Sequence, residues 1–226
     1  MRPWYESAVF YHLYPLGATG APFENRGPAE SRFDQLDAWI PYMKDLGFSA
    51  LYIGPLFESS THGYDTRDLR LVDRRLGTNG EFRDFVDACH KAGIRVVIDA
   101  VFNHTGREFF AFRDIQERGW DSPYRDWYRG VSFQGQSPMG DPFCYDAWQG
   151  QFNLPCLNLK NPEVKNYLLD TVRFWADTFD IDGLRLDCAN VLDFDFMREL
   201  RAAAPSVKED FWLMGEVIHG DYSRYI

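Results

Sequence analysis

The chain has 226 residues, 45% hydrophobic and 17% aromatic, and carries a formal net charge of −10. That length builds one large domain or two small ones, and the composition is that of a globular chain, not a disordered one. The acidic balance and the lack of any Lys/Arg run argue against nucleic acid and against anionic substrates, so a neutral substrate fits best.

Ala8–Tyr14 is rich in aromatic and β-branched residues and stops at Pro15-Leu16-Gly17, which predicts a strand. Gly17–Pro28 reads as a loop. Ser31–Leu46 carries Phe33, Leu36, Ile40, Met43 and Leu46 at helical spacing, with Ser31 as its expected cap and Pro41 as a kink or break. Ala50–Ile53 predicts a second strand, ended by Gly54-Pro55. A long connection follows, with T-H-G-Y-D-T at Thr61–Thr66 and L-G-T-N-G at Leu76–Gly80. Thr78 or Asn79 is placed to cap a helix over Glu81–Ala92. Ile94–Val101 predicts a third strand, apolar throughout, as strands covered on both faces are. Phe102–Lys160 has no strong period, and a connection that long is usually functional; it is expected to be a small subdomain. Asn161-Pro162-Glu163 opens a helix to about Thr178. Ile181–Leu186 predicts a fourth strand, Asp193 or Asp195 begins a helix to Ala204, and Phe211–Gly215 predicts a fifth strand that ends at Glu216.

Alternating strands and helices predict an α/β fold with a parallel sheet. A doubly wound nucleotide binder needs a glycine fingerprint after its first strand, and Y-P-L-G-A-T-G at Tyr14–Gly20 is not one. The expectation is therefore a (β/α)8 barrel. Four cysteines, Cys89, Cys144, Cys156 and Cys188, have no metal-like spacing and do not suggest a disulfide scaffold. No signal-peptide core and no membrane-length apolar run are visible, so the expectation is a cytoplasmic protein with no membrane partner.

Polar residues collect where the predicted strands end: Asp99, Asn103 and His104; Arg185, Asp187 and Asn190; Glu216; and, after strand two, His62, Tyr64 and Asp65. In a barrel all these ends meet on one face, where active sites are built. Within G-L-R-L-D-C-A-N at Gly183–Asn190, Arg185 and Asp187 alternate with leucines and so point to one side. An arginine beside a carboxylate favours its ionised form, which suits a nucleophile; the same pair also fits a structural ion pair. Asp99 also fits a strand-end helix cap, and His62 an ordinary loop histidine.

Five stretches together resemble the α-amylase family of retaining glycoside hydrolases. They are D-A-V-F-N-H at Asp99–His104, G-L-R-L-D-C-A-N, G-E-V at Gly215–Val217, L-P-C-L-N at Leu154–Asn158, and H-G-Y-D-T with V-D-x-x-L-G-T in the second-strand loop. L-P-C-L-N and the Y-P-L-G-A-T-G-A-P start are nearest the neopullulanase and cyclomaltodextrinase branch. The resemblance implies a catalytic barrel over 1–102 and 161–226 with a domain B inserted at 103–160. It implies hydrolysis of α-glucosidic bonds in α-glucans or maltooligosaccharides, with Asp187 as nucleophile, held ionised by Arg185, and Glu216 as general acid and base. Tyr64, Asp65, His104, Arg185 and Asp99 would bind substrate or support those that do. No cofactor is required, and Asn103 is a weak candidate calcium ligand. Transglycosylation, sugar isomerisation and a non-catalytic scaffold remain alternatives within this resemblance. The chain stops ten residues past Glu216, before the family's fourth motif. An incomplete barrel is expected, a fragment poorly stable and nearly inactive by itself. The branch often dimerises through an N-terminal domain, which implies a homodimeric parent protein; strand one begins too near the start to leave that domain here.

Overall fold

The computed structural model describes residues 2–218 and 220–225. The first part of the chain forms β1 (Phe10–Leu13), a one-turn helix α1 (Pro15–Ala18), α2 (Phe33–Asp37), α3 (Trp39–Asp45) and β2 (Ala50–Ile53). A hairpin, β3 (Phe57–Ser59) and β4 (Thr66–Val72), precedes α4 (Asn79–Lys91) and β5 (Arg95–Ala100). Then come α5 (Phe110–Arg118), a short hairpin of β6 (Ala147–Trp148) and β7 (Gln151–Pro155), and α6 (Pro162–Phe179). The last elements are β8 (Gly183–Leu186), α7 (Phe194–Val207) and β9 (Trp212–Gly215).

One parallel sheet runs β1-β2-β5-β8-β9, so neighbours in the sheet follow one another along the chain. The order never reverses, which is the winding of a barrel and not of a doubly wound sheet. The sheet also curls. Strands about 4.8 Å apart would put β1 and β9 about 19 Å from each other in a flat sheet. Instead the rings of Phe10 on β1 and Trp212 on β9 stack with centroids 4.8 Å apart. Trp4 and Tyr5 pack on the same indole, and Trp4 Nε1 donates to the Asp210 carbonyl at 3.0 Å.

The two faces of the curled sheet differ as alternation requires. Leu51, Ile53, Val96, Ile98 and Leu184 point outward and are fully buried under helices. On α4 the stripe is Phe82, Phe85, Val86 and Cys89; on α6 it includes Leu168, Val172, Trp175 and Phe179. The Trp175 ring lies between Phe57 and Phe102, nearly parallel to both. Its Nε1 donates to the Leu69 carbonyl at 2.6 Å, so the polar edge of a fully buried indole is satisfied.

Caps decide several boundaries. Thr78 closes a reciprocal capping box with Glu81, Asn161 accepts from the Glu163 N–H, and Asp193 accepts from Asp195 and Phe196. The break expected near Pro41 is present: the pattern over 31–46 is two short helices that part at Ala38, and Pro41 sits in the first turn of α3, where its missing N–H has no intrahelical partner to lose. Two expectations need correction. Ser31 does not cap α2, since its hydroxyl is bonded to Glu81 on α4. The connection after β2 is not plain loop. It contains the β3–β4 hairpin, braced by a buried pair in which Arg75 donates to Asp73 and to the carbonyls of Pro22, Phe23 and Thr61.

Candidate active site

The parallel ladder continues past the ends of its strands and fixes where the acidic residues sit. The Asp187 N–H donates to the Ala100 carbonyl at 3.1 Å, and the Glu216 N–H to Leu186 at 3.0 Å. Asp99 is paired in register with Arg185, and Leu186 with Gly215, so Asp99, Arg185, Asp187 and Glu216 come from three adjacent strands at one end of the sheet. Gly54 makes the approach of β2 possible: a Cβ there would lie 2.3 Å from the Cβ of Asp99.

Arg185 is the hub. One guanidinium nitrogen is 2.7 Å from Asp99 and 2.8 Å from Asp187; the other is 2.8 Å from Glu216. The second oxygen of Asp99 accepts from the Tyr52 hydroxyl at 2.8 Å. Glu216 also accepts from the Cys188 N–H at 2.9 Å, and the Cys188 thiol donates to the other oxygen of Asp187 at 2.8 Å. Cys188 holds a left-handed backbone, φ 48°, an unusual conformation for a side chain beyond Cβ and one often found at functional sites.

Three carboxylates thus share one cation. Arginine alone would pull a neighbouring carboxyl below its ordinary range. Burial instead pushes Asp187 up to about 6, helped by the charges of Asp99 and Glu216, while the Cys188 thiol and Arg185 pull the other way. A carboxyl at about 6 is still mostly ionised near pH 7, with Arg185 among the groups that hold it so, although the guanidinium is divided among three acids.

Tyr64 belongs to the same electrostatic cluster: burial above all raises its hydroxyl's pKa, the charges of Asp99 and Asp187 add to this, and Arg185 opposes them. His104 is 1% exposed, and burial pushes its imidazole down to about 4, so it is neutral. Asp65 is spent within its own loop, accepting from the Thr61 N–H and hydroxyl at 3.0 and 2.6 Å. His62 braces the same turn, its Nδ1 accepting from the Tyr64 N–H. Asn103 is buried with its amide on His104 Nδ1 and near Cys156 Sγ. Calcium takes six to eight oxygen ligands, usually including carboxylates. Of the acidic residues of 103–160, Asp141 is held by Arg107 and Ser137, and Asp146 lies by Arg129. The described side-chain contacts of the Asn103 amide are a ring nitrogen and a sulfur, not oxygens, so this donor set does not fit calcium, and no step is assigned to it.

The L-P-C-L-N stretch is stitched directly to this loop. The Thr105 N–H donates to Pro155 at 3.1 Å and the Leu157 N–H to Asn103 at 2.9 Å, with a bridge between His104 and Cys156. The same hairpin sets the half-buried Trp148 ring near parallel to His104, centroids 6.1 Å apart. Trp148 and Tyr52 are site residues the sequence reading missed. Tyr52 sits in an apolar strand and reads as core; the signal for Trp148 was its place just before L-P-C-L-N.

Comparison with known proteins matches residues 35–226 to the family described as Alpha amylase, catalytic domain. A cyclomaltodextrinase of Geobacillus thermopakistaniensis is 37% identical in an alignment 236 positions long that covers 96% of this chain and 39% of that protein. Neopullulanase 2 of Thermoactinomyces vulgaris is 37% identical in an alignment 234 positions long that covers 96% of this chain and 40% of its own length. The chain thus spans about two fifths of the curated relatives it matches. Among solved structures, the cyclic alpha-maltosyl-(1→6)-maltose hydrolase of Arthrobacter globiformis superposes with a TM-score of 0.82 at 31% identity, over 96% of this chain and 52% of that one. A debranching enzyme of Nostoc punctiforme gives 0.83 at 32%, over 98% and 50%.

Proposed function

The chain belongs to the α-amylase catalytic-domain family, whose solved members are (β/α)8 barrels, and from that premise we propose that its protein cleaves α-glucosidic bonds in α-glucans or maltooligosaccharides by retaining double displacement. The observation that carries this reading is the Arg185 clamp, which bridges Asp187 and Glu216 through the two nitrogens of one guanidinium. A single fork between two carboxylates supports the short spacing, about 5–5.5 Å, that a retaining pair needs.

In this reading Asp187 attacks the anomeric carbon and forms a glycosyl ester. Glu216 protonates the leaving oxygen, then removes a proton from the water that hydrolyses the ester. Its Oε2 now accepts from Arg185 and Cys188, so the bound glycosidic oxygen takes the proton from the other oxygen or displaces one of those donors. Tyr64 and His104 line the sugar site, and Asp99 acts on Arg185 rather than on substrate. Asp65 acts through the shape of its loop. The five parallel strands correspond to the first five of the barrel, in 1–102 and 161–226, and 103–160 to an inserted domain B. The substrate is a neutral α-glucan or cyclic maltooligosaccharide, in keeping with the names of the relatives. The name of a Bacillus subtilis relative, intracellular maltogenic amylase, supports a cytoplasmic place, and a homodimer remains part of the proposal. No helix among the described residues is long and apolar enough to cross a membrane.

The test uses protein expressed from its complete reading frame. Newly formed reducing ends, followed by NMR during hydrolysis of maltooligosaccharides, are expected as α-anomers. Glu216→Gln is expected to lower turnover by about 10²–10⁴-fold. Initial β-anomers, or full activity in Asp187→Asn, would sink the reading.

A further inference from the structure

Cys188 contributes only a backbone N–H to the mechanism above, yet its thiol lies inside the site. A ring nitrogen of His104, a carboxylate oxygen of Asp187 and Cys188 Sγ all lie within 4.8 Å of one another, and all three residues are more than nine-tenths buried. His104 Nε2 has no hydrogen-bond partner among the described residues. Asp187 gives Oδ1 to Arg185 and Oδ2 to the thiol. Three carboxylates around one guanidinium leave negative charge in excess. A buried cluster with surplus negative charge, an unpartnered imidazole nitrogen and a thiol is chemically suited to a cation that accepts nitrogen and sulfur.

The geometry points to a divalent-cation site formed by His104, Asp187 and Cys188, suited to zinc or a similarly borderline-soft ion, whose occupation blocks the catalytic centre. The blocking rests on the proposed function; the binding does not. One thiolate, one imidazole and one carboxylate are zinc chemistry, whereas calcium and magnesium prefer oxygen alone. Three protein ligands leave the fourth tetrahedral position to water. Zinc bonds of 2.0–2.3 Å place donor atoms about 3.3–3.6 Å apart, so a shift of about 1 Å within the 4.8 Å cluster is enough.

Proton balance is simple. The ion displaces the Cys188 proton to solvent and takes the sulfur as thiolate, so affinity rises with pH. Asp187 Oδ2 exchanges its thiol donor for the metal. The Asn103 amide, turned over, accepts from His104 Nδ1–H and leaves the Nε2 lone pair for the ion. With the ion bound, Asp187 cannot attack and His104 cannot meet a sugar.

Cobalt(II) is the spectroscopic probe, added without oxygen to metal-free protein made from the complete reading frame. A thiolate-to-cobalt charge-transfer band is expected. Zinc should abolish it, and it should be lost in Cys188→Ala. Zinc should inhibit hydrolysis competitively with maltooligosaccharide, and Cys188→Ala should raise the half-inhibitory zinc concentration about 10-fold or more. His104→Gln keeps the thiol and should weaken cobalt binding by a similar factor, which covers the case where Cys188→Ala does not fold. Absence of the band at millimolar cobalt, or a band that survives Cys188→Ala, overturns the site, since Cys89, Cys144 or Cys156 would then be the ligand. A protein that binds cobalt through Cys188 but cleaves no α-glucan refutes the proposed function and leaves the site standing. One that hydrolyses glucans with zinc sensitivity unchanged by Cys188→Ala does the reverse.

Discussion

Arg185 serves three acids because its planar fork presents donors along two edges at once. A lysine keeps the charge but not the fork. Arg185→Lys is therefore expected to lower turnover by about 10²–10³-fold while the fold survives, measured as kcat beside an unchanged circular dichroism spectrum. Trp148 offers a flat apolar face beside His104. Trp148→Ala is expected to raise KM about 10-fold, equivalent to about 1.4 kcal/mol, with kcat changed much less. These two residues differ in how far sequence reveals them. Arg185 and Asp187 are legible because strand alternation forces them onto one face. Trp148 belongs to a stretch without a period, and only the backbone stitch to Asn103–Thr105 carries it to the site. The charge balance was not legible either, because the sharing of one guanidinium by three carboxylates depends on register between strands.

Elements of eighteen and thirteen residues with caps, such as α6 and α4, could be read from sequence almost to their ends. The nine residues of α5 could not, because its stripe of Ala111, Phe112 and Ile115 is short and lies beside the equally aromatic Phe109 and Phe110. The joints between elements are equally hidden. Asp182, just before β8, is 1% exposed and receives His90 at 2.7 Å, Arg95 at 2.8 Å, Lys208 at 3.0 Å and the Val96 N–H at 2.9 Å. It ties α4, β5 and the segment after α7 to one point. Burial works against its charge, yet the His90 contact, the Val96 N–H and the Lys208 charge outweigh it and hold the carboxyl well below the usual range. A depressed carboxyl stabilises the fold above its ordinary pKa near 4, and that contribution is lost as pH falls through the folded value. Asp182→Asn is expected to cost roughly 2–3 kcal/mol at pH 7, less than a fully buried pair because Arg95 and Lys208 are partly solvated. The gap to the unmodified protein should narrow towards pH 3, measured by urea unfolding at both pH values.

At the scale of the molecule, alternating strands and helices made the parallel sheet and its winding legible, but not its curvature. The curl depends on inward side chains meeting across the concave face, above all Phe10 and Trp212, which are far apart in sequence. Trp212→Ala is expected to lower stability by about 2 kcal/mol, read as a lower urea midpoint at unchanged slope. The stitch between 103–105 and 155–157 bears on time as well as shape. Its amides are bonded across two chain segments fifty or more residues apart, so neither can be released by fraying a single loop. Hydrogen exchange at Thr105 and Leu157 should therefore be as slow as at the sheet amides of β5, and the two should speed up together on destabilisation. A hairpin fastened in this way opens only with the body beneath it, so on the proposed function a sugar passes a fixed visor and not a moving one.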